Sequence, residues 1–312
     1  MAWFKGNLHT HTTESDGDAE PAKVVSWYRR HGYDFLVLSD HNHLTLLEYG
    51  KSKRRFKRPL MIPGEEVSAQ ILNGSVPIHL GGIGISRVVE PIDADGVVAT
   101  IQANVDAIVE AGGIASINHP NFKWAFDHNS LKHVSGATLL EVFNGHPGTN
   151  NDGGPGRYST EQIWDGVLSA DRPIFGVAAD DSHAYHDFTF DSRGNPGRGW
   201  VVVRAQEASR DAIVDGLASG DFYASTGVTL ADLHAGSEGI SIAIDPFRTT
   251  RGFTAMEYVT RFTGLDGVLI SEMAGENPEY TIAGDEGYVR ATVTSSNGHK
   301  AWVQPVFVPD AG

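Results

Sequence analysis

Two short stretches each place a pair of metal-competent side chains two residues apart: His9-Thr10-His11 and Asp181-Ser182-His183. In an extended chain, residues i and i+2 face the same side, so both members of a pair can reach one ion. Asp40-His41, Glu65-Glu66, His79 and His119 lie in or at the end of further apolar runs. The chain has no cysteine, so thiolate sites are excluded and the donors are imidazole and carboxylate. These suit divalent Mn, Zn or Fe. Two or three such ions would deprotonate a water held between them near neutral pH. The resulting bridging hydroxide could attack a phosphoryl or carbonyl centre while the ions neutralise the developing charge. A lone histidine at a strand end is usually a loop residue, and one H-x-H pair is common by chance. Six strand-associated positions that all carry His, Asp or Glu are not explained that way. Clustered acids repel one another unless a cation lies between them.

Such residues can meet only if the chain folds so that the ends of several strands share a face. Short apolar runs read as strands over Trp3–His9, Phe35–Ser39, Leu60–Val67, Pro77–Ile83, Ile114–Asn118, Thr138–Phe143, Ile174–Ala179 and Trp200–Arg204. Helical punctuation separates several of them. Pro21 and Gly32 bracket Ala22–His31, Gly112-Gly113 follow Thr100–Ala111, Ser159 precedes Thr160–Ala170, and Gly220 follows Ser209–Ala218. Strands alternating with helices of this length predict an α/β protein with βαβ units and a parallel sheet, whose strand C-termini share one face. Asn73-Gly74 breaks the alternation as a hairpin turn. Past Gly227 the helical signals stop. Residues 228–312 show alternating stretches such as Ile240–Ile244, Gly287–Val293 and Ala301–Val308, which predict a small β-rich domain after a first domain over 1–227.

The bulk properties set limits on partners. The 312 residues carry a net charge of −15, and a broad negative field repels phosphate. Nucleic acid and anionic membranes are therefore disfavoured, and a small-molecule substrate is expected. The start of the sequence lacks the basic-then-apolar pattern of a secretory signal, no run is long enough to span a bilayer, and a cytoplasmic protein is the expectation. The basic run Lys51–Arg58 reads as a solvated loop. Oligomeric state is not legible.

The segments NLHTHTTESDGD, FLVLSDHN, IPGEEVSA, SINHPN and GVAADDSHAY, in this order, resemble the successive motifs of the PHP (polymerase and histidinol phosphatase) superfamily of metallohydrolases. The similarity spans about residues 3–227. GNLHTHTTESDG, SDHNH and the late AWVQP are similar to the carbaryl-hydrolase-like branch. The resemblance implies a distorted (β/α)7 TIM-like barrel with a small C-terminal β domain and a trinuclear metal centre. Carried over by position, His9, His11 and Asp181 would hold one ion, with Glu66 bridging to a second completed by His79 and His119. Asp16, His41 and His183 would hold a third, Asp16 standing where some relatives have histidine. The G-x-E spacing from Gly64 selects Glu66 over Glu65. Asp40 is expected to orient a metal-bound imidazole and so to belong to the catalytic set.

Beside these, His146 in VFNGHPG follows a strand and is a candidate to protonate a leaving group. His43, Lys123 and Arg198 lie beside motifs and are candidates to contact substrate, the cations through a phosphate. His31, His128, His133, His186, His234 and His299 match no motif and read as structural. The leading expectation is a phosphoesterase acting on a phosphomonoester or phosphodiester. Hydrolysis of a carbamate, ester or amide is the alternative, and a degenerate PHP binding module is the non-enzymatic one. A phosphatase should bring an Arg or Lys to the ions, whereas a carbamate pocket should be aromatic, with Phe122, Trp124 and Phe126 available after His119.

Overall fold

The structure is a computed structural model that describes residues 1–47, 59–189, 193–246 and 256–308. The basic run Lys51–Arg58 lies outside the described residues. In chain order the first half comprises β1 (Ala2–Asn7), α1 (Pro21–Arg30), β2 (Phe35–Val37), β3 (Leu60–Ile62), β4 (Gly64–Ile71), β5 (Val76–Ile83), α2 (Val97–Glu110), β6 (Ile114–Ile117), α3 (His128–Leu131) and β7 (Ala137–Asn144). It continues with α4 (Thr160–Leu168), β8 (Phe175–Ala179), β9 (Trp200–Ala205), α5 (Arg210–Ser219) and β10 (Phe222–Ser225). The remainder is strand: β11 (Thr229–Gly236), β12 (Gly239–Asp245), β13 (Tyr258–Thr263), β14 (Leu269–Ala274), β15 (Glu279–Thr281), β16 (Tyr288–Ser295) and β17 (Lys300–Phe307).

The helix boundaries follow local chemistry. Ser159 caps α4 in a full capping box with Gln162, and Ser209 accepts from the Ala212 amide to start α5. Gly220, left-handed at φ 77°, ends α5. The expected strand over Leu60–Val67 is two strands broken at Pro63, which has no N–H to continue a ladder. β3 pairs in parallel with β2, and β4 departs to pair with β5 in the hairpin turned at Asn73-Gly74. Gly64 permits the departure, because a Cβ there would lie 2.5 Å from Val37 and 2.7 Å from the Gly82 carbonyl oxygen.

The described strands do not close into the expected distorted (β/α)7 barrel. The described strands make a nine-stranded sheet in the order β14-β13-β16-β17-β10-β9-β1-β2-β3, a five-stranded sheet β4-β5-β6-β7-β8, and a three-stranded sheet β11-β12-β15. The two larger sheets are linked by the isolated parallel bridges Thr10–Ser182 and His41–Glu66, and β8 also meets β17, where the Gly176 backbone exchanges two hydrogen bonds with the Gln304 side chain. The physical reason is direction. β4–β5–β6 run antiparallel through the hairpin, and β9 and β10 run antiparallel beside β1, so parallel pairing is confined to β1–β2–β3 and β6–β7–β8. Both bridges lie within the candidate site.

The nine-stranded sheet also continues across residue 227, since β10 pairs with β17 and through it with β16, β13 and β14. One face of these late strands packs Phe262, Val289, Val293 and Val303 against Leu230, Ile240, Ile242 and Ile244 of β11 and β12. The opposite face meets α4. Arg290 donates from Nε and Nη2 to both carboxylate oxygens of Asp165 (2.6 and 2.7 Å), and Tyr288 Oη donates to the same carboxylate at 2.9 Å. Arg290 is 3% and Asp165 7% exposed. Breaking one member of a buried pair leaves an unpaired charge, which costs about 3–5 kcal/mol. Arg290→Leu is therefore expected to lose about that much in urea unfolding, and the Arg290→Leu, Asp165→Leu double variant to recover most of it. A loss below about 1 kcal/mol for the single variant contradicts this cross-link.

Candidate metal centre

The segment Leu8–Thr12 leaves β1 with its backbone still extended enough to bridge Ser182, so His9 and His11 turn to the same side and their Nε2 atoms lie 3.1 Å apart. Asp181, just past β8, faces them with Oδ1 3.3 Å from His9 Nε2 and 3.2 Å from His11 Nε2. Glu66 enters from β4. Its Oε1 is 3.2 Å from His9 Nε2, 3.0 Å from His119 Nε2 and 3.4 Å from His79 Nδ1, while its Oε2 is 3.0 Å from His41 Nδ1 and 3.5 Å from His11 Nε2. Nearer solvent, Asp16 Oδ1 is 3.2 Å from His183 Nε2, and Asp16 Oδ2 is 3.7 Å from His41 Nε2. The nine residues thus converge from six separate stretches of chain on one mouth. Four subsets have donor atoms within 4.8 Å of one another: His9, Glu66 and His119; His9, His11 and Asp181; His41, Glu66 and His79; and His11, Asp16, His41 and His183.

Backbone geometry bears the cost of this convergence. His119 has φ 23° and Asp181 φ 48°, both in the left-handed region that side chains other than glycine avoid. Such strain persists where surrounding structure over-determines it, and it concentrates at functional sites. Strand alternation also settles the glutamate pair. Glu66 points into the mouth, while Glu65 points away and accepts from the Val89 amide, burial pushing its pKa up to about 7.

The electrostatics fit a site for divalent cations. Burial opposes charge on every member, yet the coulombic attractions override it for most. His9 is held well above the ordinary imidazole range by Asp181, Glu66 and Glu141. Glu66 is held well below the carboxylate range by His9 and His79, and Asp181 likewise by His9 and His11. His11 goes the other way, lowered to about 4 by burial and by His183 beside it. Among the described residues His79 Nδ1, which is buried, has no hydrogen-bond partner and lies 3.4 Å from Glu66 Oε1. Imidazole nitrogens and carboxylate oxygens at this spacing, with an orphaned nitrogen among them, are the donor set of a borderline-to-hard divalent ion.

A surrounding shell orients the cluster. Glu141 Oε1 lies 2.7 Å from His9 Nδ1, and its Oε2 accepts from the His119 amide and from Asn144 Nδ2. Asn144 Nδ2 also donates to Asp181 Oδ2, Asn118 Nδ2 donates to Glu66 Oε1 at 2.9 Å, and Ser68 Oγ is 2.6 Å from His41 Nδ1. The sequence reading missed Glu141, Asn118 and Asn144. The signal was available for Glu141: a carboxylate inside the apolar strand TLLEVFN must be paired or it would not be buried.

Among the described residues, the carboxylate outside the cluster that lies against one of its imidazoles is Glu141 and not Asp40. Asp40 touches no imidazole; it accepts from the Thr12 amide and from the hydroxyls of Thr12, Ser15 and Thr45, and so pins the loop after His11. Ser15 Oγ in turn reaches His11 Nδ1 at 3.3 Å. His146 does line the mouth, its ring 5.4 Å from His183. Its Nδ1 accepts from the Gly148 amide, which leaves the proton of the neutral ring on Nε2, and burial lowers its pKa. The three substrate candidates do not line the mouth. His43 is half-exposed beside Glu14, Lys123 Nζ lies 5.5 Å from the centre of the Phe122 ring, and the Arg198 guanidinium donates to the Gly145 carbonyl and Asn195. The mouth, about 290 Å³, is closed by Phe122 and His146 besides the cluster itself. A larger cleft of about 800 Å³ lies between α4 and the late strands, where Glu161, Lys300, Arg290 and Asp165 satisfy one another.

No protein-family model matches the sequence, and no curated protein is similar enough to align with it. Among solved structures, the chain is similar to a two-domain protein from Bacteroides vulgatus containing a predicted PHP-like metal-dependent phosphoesterase. The TM-score is 0.52 at 16% identity, covering 97% of this chain and 95% of that one. A putative metal-dependent phosphoesterase from Bifidobacterium adolescentis aligns with TM-score 0.39 at 16% identity over 61% of this chain and 89% of its own, a level that carries no argument. The first likeness is one of fold: a mixed α/β chain of several sheets and few helices, shared nearly end to end with a PHP-like protein.

Proposed function

We propose that the chain is a multinuclear metal-dependent hydrolase of phosphoric esters, of the PHP type, with residues 228–312 corresponding to the β-rich part of the carbaryl-hydrolase-like branch. The observation that carries the reading is Glu66, whose two carboxylate oxygens are flanked by imidazole nitrogens of His9, His41, His79 and His119 from four different stretches of chain. A carboxylate so placed is suited to span two ions. His9, His11 and Asp181 would complete one coordination sphere, His79 and His119 a second, and Asp16, His41 and His183 a third. Divalent Mn, Zn or Fe in these positions would acidify a water and neutralise the charge developing on the attacked group's oxygens.

The chain's own residues would do the rest. Glu141 keeps the Nδ1 proton of His9 and thereby presents Nε2 to the ion, the usual device for fixing a ligand imidazole. Phe122 forms an apolar wall that excludes water from one side of the mouth. His146 would give a proton to the departing oxygen only as an imidazolium, and burial favours its neutral form, so that transfer is expected to be strongest below neutral pH. A small-molecule substrate suits a mouth of about 290 Å³. No described helix is long and apolar enough to cross a membrane.

One observation favours hydrolysis of a carbamate or carboxylic ester as the second reading. Among the described residues no Arg or Lys lines the mouth, and its non-ligand wall is Phe122 and His146. A retained binding module without catalysis fits less well, because all nine positions keep donor-competent side chains turned to one point.

Chelated protein reloaded separately with Mn, Zn or Fe should hydrolyse nitrophenyl phosphate or bis(nitrophenyl) phosphate faster than nitrophenyl carbamates and acetates. His9→Ala and Glu66→Ala should each lower kcat/KM by roughly 10³-fold, equivalent to about 4 kcal/mol of lost transition-state stabilisation. Preference for the carbamates moves the assignment to the second reading, and wild-type rates in either variant refute the site. His146→Gln should cost about 10²-fold with an alkyl leaving group and little with nitrophenolate, which needs no proton. Equal losses on both would remove His146 from proton donation.

A further inference from the structure

The two ligand pairs, His9-Thr10-His11 and Asp181-Ser182-His183, each have a hydroxyl residue at the centre, and those two central residues form the isolated bridge that joins the large sheets. Because side chains alternate, Thr10 and Ser182 point away from the cluster, beneath it. There they meet a single phenol. Tyr185 Oη is 3.1 Å from Thr10 Oγ1 and 2.5 Å from Ser182 Oγ, and Tyr185 is buried. Ser182 Oγ is also 3.0 Å from Tyr28 Oη, which donates to Asp180 Oδ2 at 2.7 Å.

Counting protons orders this network. Each hydroxyl has one hydrogen to give. Tyr28 gives its own to Asp180, so at Ser182 it accepts. Ser182, having donated to Tyr28, accepts from Tyr185, and Tyr185 in turn accepts from Thr10. The result is a one-way chain, Thr10 to Tyr185 to Ser182 to Tyr28 to the Asp180 carboxylate. Three backbone amides, of Gly197, Arg198 and Gly199, hold that carboxylate in place. Hydrogen bonds aligned in one direction polarise and strengthen one another. Tyr185 is further fixed by its amide donating to Asp18 Oδ1.

We propose that Tyr185 is a positioning residue for the metal centre: its hydroxyl sets the distance between the His9/His11 pair and the Asp181/His183 pair by holding Thr10 and Ser182 on one oxygen. It touches neither substrate nor ligand atoms and acts through the backbone of both pairs. The inference rests on the reading that these pairs hold ions.

The test uses Tyr185→Phe, which keeps the ring and removes the oxygen, in the full chain. The readouts are Co²⁺ affinity by competition with a chromophoric chelator, the visible absorption of the Co²⁺-loaded protein, and the melting temperature of the metal-free protein. The expected result is a 10- to 100-fold weaker Co²⁺ affinity with an altered visible band, the metal-free melting point staying within a few degrees. The Thr10→Val, Ser182→Ala double variant, which leaves the phenol packed, should show the same loss, and adding Tyr185→Phe to it should change affinity less than twofold. Affinity and spectrum unchanged in Tyr185→Phe overturn the proposal, as does a full additional loss in the triple variant. If Tyr185→Phe does not fold, the double variant decides: wild-type affinity there overturns the proposal. Failure of the wild-type chain to bind Co²⁺ at all would instead refute the metal centre.

Discussion

Three carboxylates and six imidazoles share one mouth, and six of the nine residues are buried. In that environment each charge is costly unless an opposite charge lies against it. Within the cluster the imidazoles hold the Glu66 and Asp181 carboxyls well below the usual carboxylate range, against the effect of burial. Burial and His183 lower His11, and among the described residues His79 Nδ1 has no hydrogen-bond partner. Divalent cations would remove the conflict, since each imidazole could then be neutral with one lone-pair nitrogen turned to an ion and each carboxylate could keep its charge. Most of the molecule's unusual features follow from holding these groups together.

The sheets are arranged around that requirement. Two large sheets that do not close on one another by continuous ladders are joined at Thr10–Ser182 and His41–Glu66, the points where ligand-bearing strand ends meet. Left-handed backbone at His119 and Asp181 turns those side chains inward where regular strand geometry would not. Glu141 and Asn144 on β7 brace the two histidines and Asp181 from behind, and Asp40 braces the loop carrying Ser15 and Asp16. The late strands share the β9–β10 edge and the Asp165–Arg290 pair, so they support β1 and β8 instead of standing apart.

Local features were legible in the sequence. Proline and glycine punctuation, the Ser159 and Ser209 caps, the Asn73-Gly74 turn and the period-two spacing of His9/His11 and Asp181/His183 depend on neighbours a few residues away. The convergence of the nine residues was legible too, because strand-end placement is a property of α/β chains in general. What needed coordinates was any outcome decided by distant partners. The open barrel depends on β4–β5–β6 running antiparallel and on β9–β10 leading into the late strands. Asp40 pins a loop where it was expected to orient an imidazole, and Glu141, unmarked in the sequence, lies against His9, because three hydroxyl residues surround the former and His9 meets the latter. Arg198 is drawn off to Gly145 and Asn195, a contact no motif encodes.

The account stands on cations occupying this mouth. Crystals equilibrated with Mn²⁺ and measured above and below its absorption edge would locate them by anomalous difference density. Two or three peaks within bonding distance of His9, Glu66, His119 and Asp181 are predicted, at the 2.0–2.2 Å separations that imidazole and carboxylate ligands typically adopt. A map with no anomalous density among those residues, in protein whose side chains are otherwise placed as described, would contradict it.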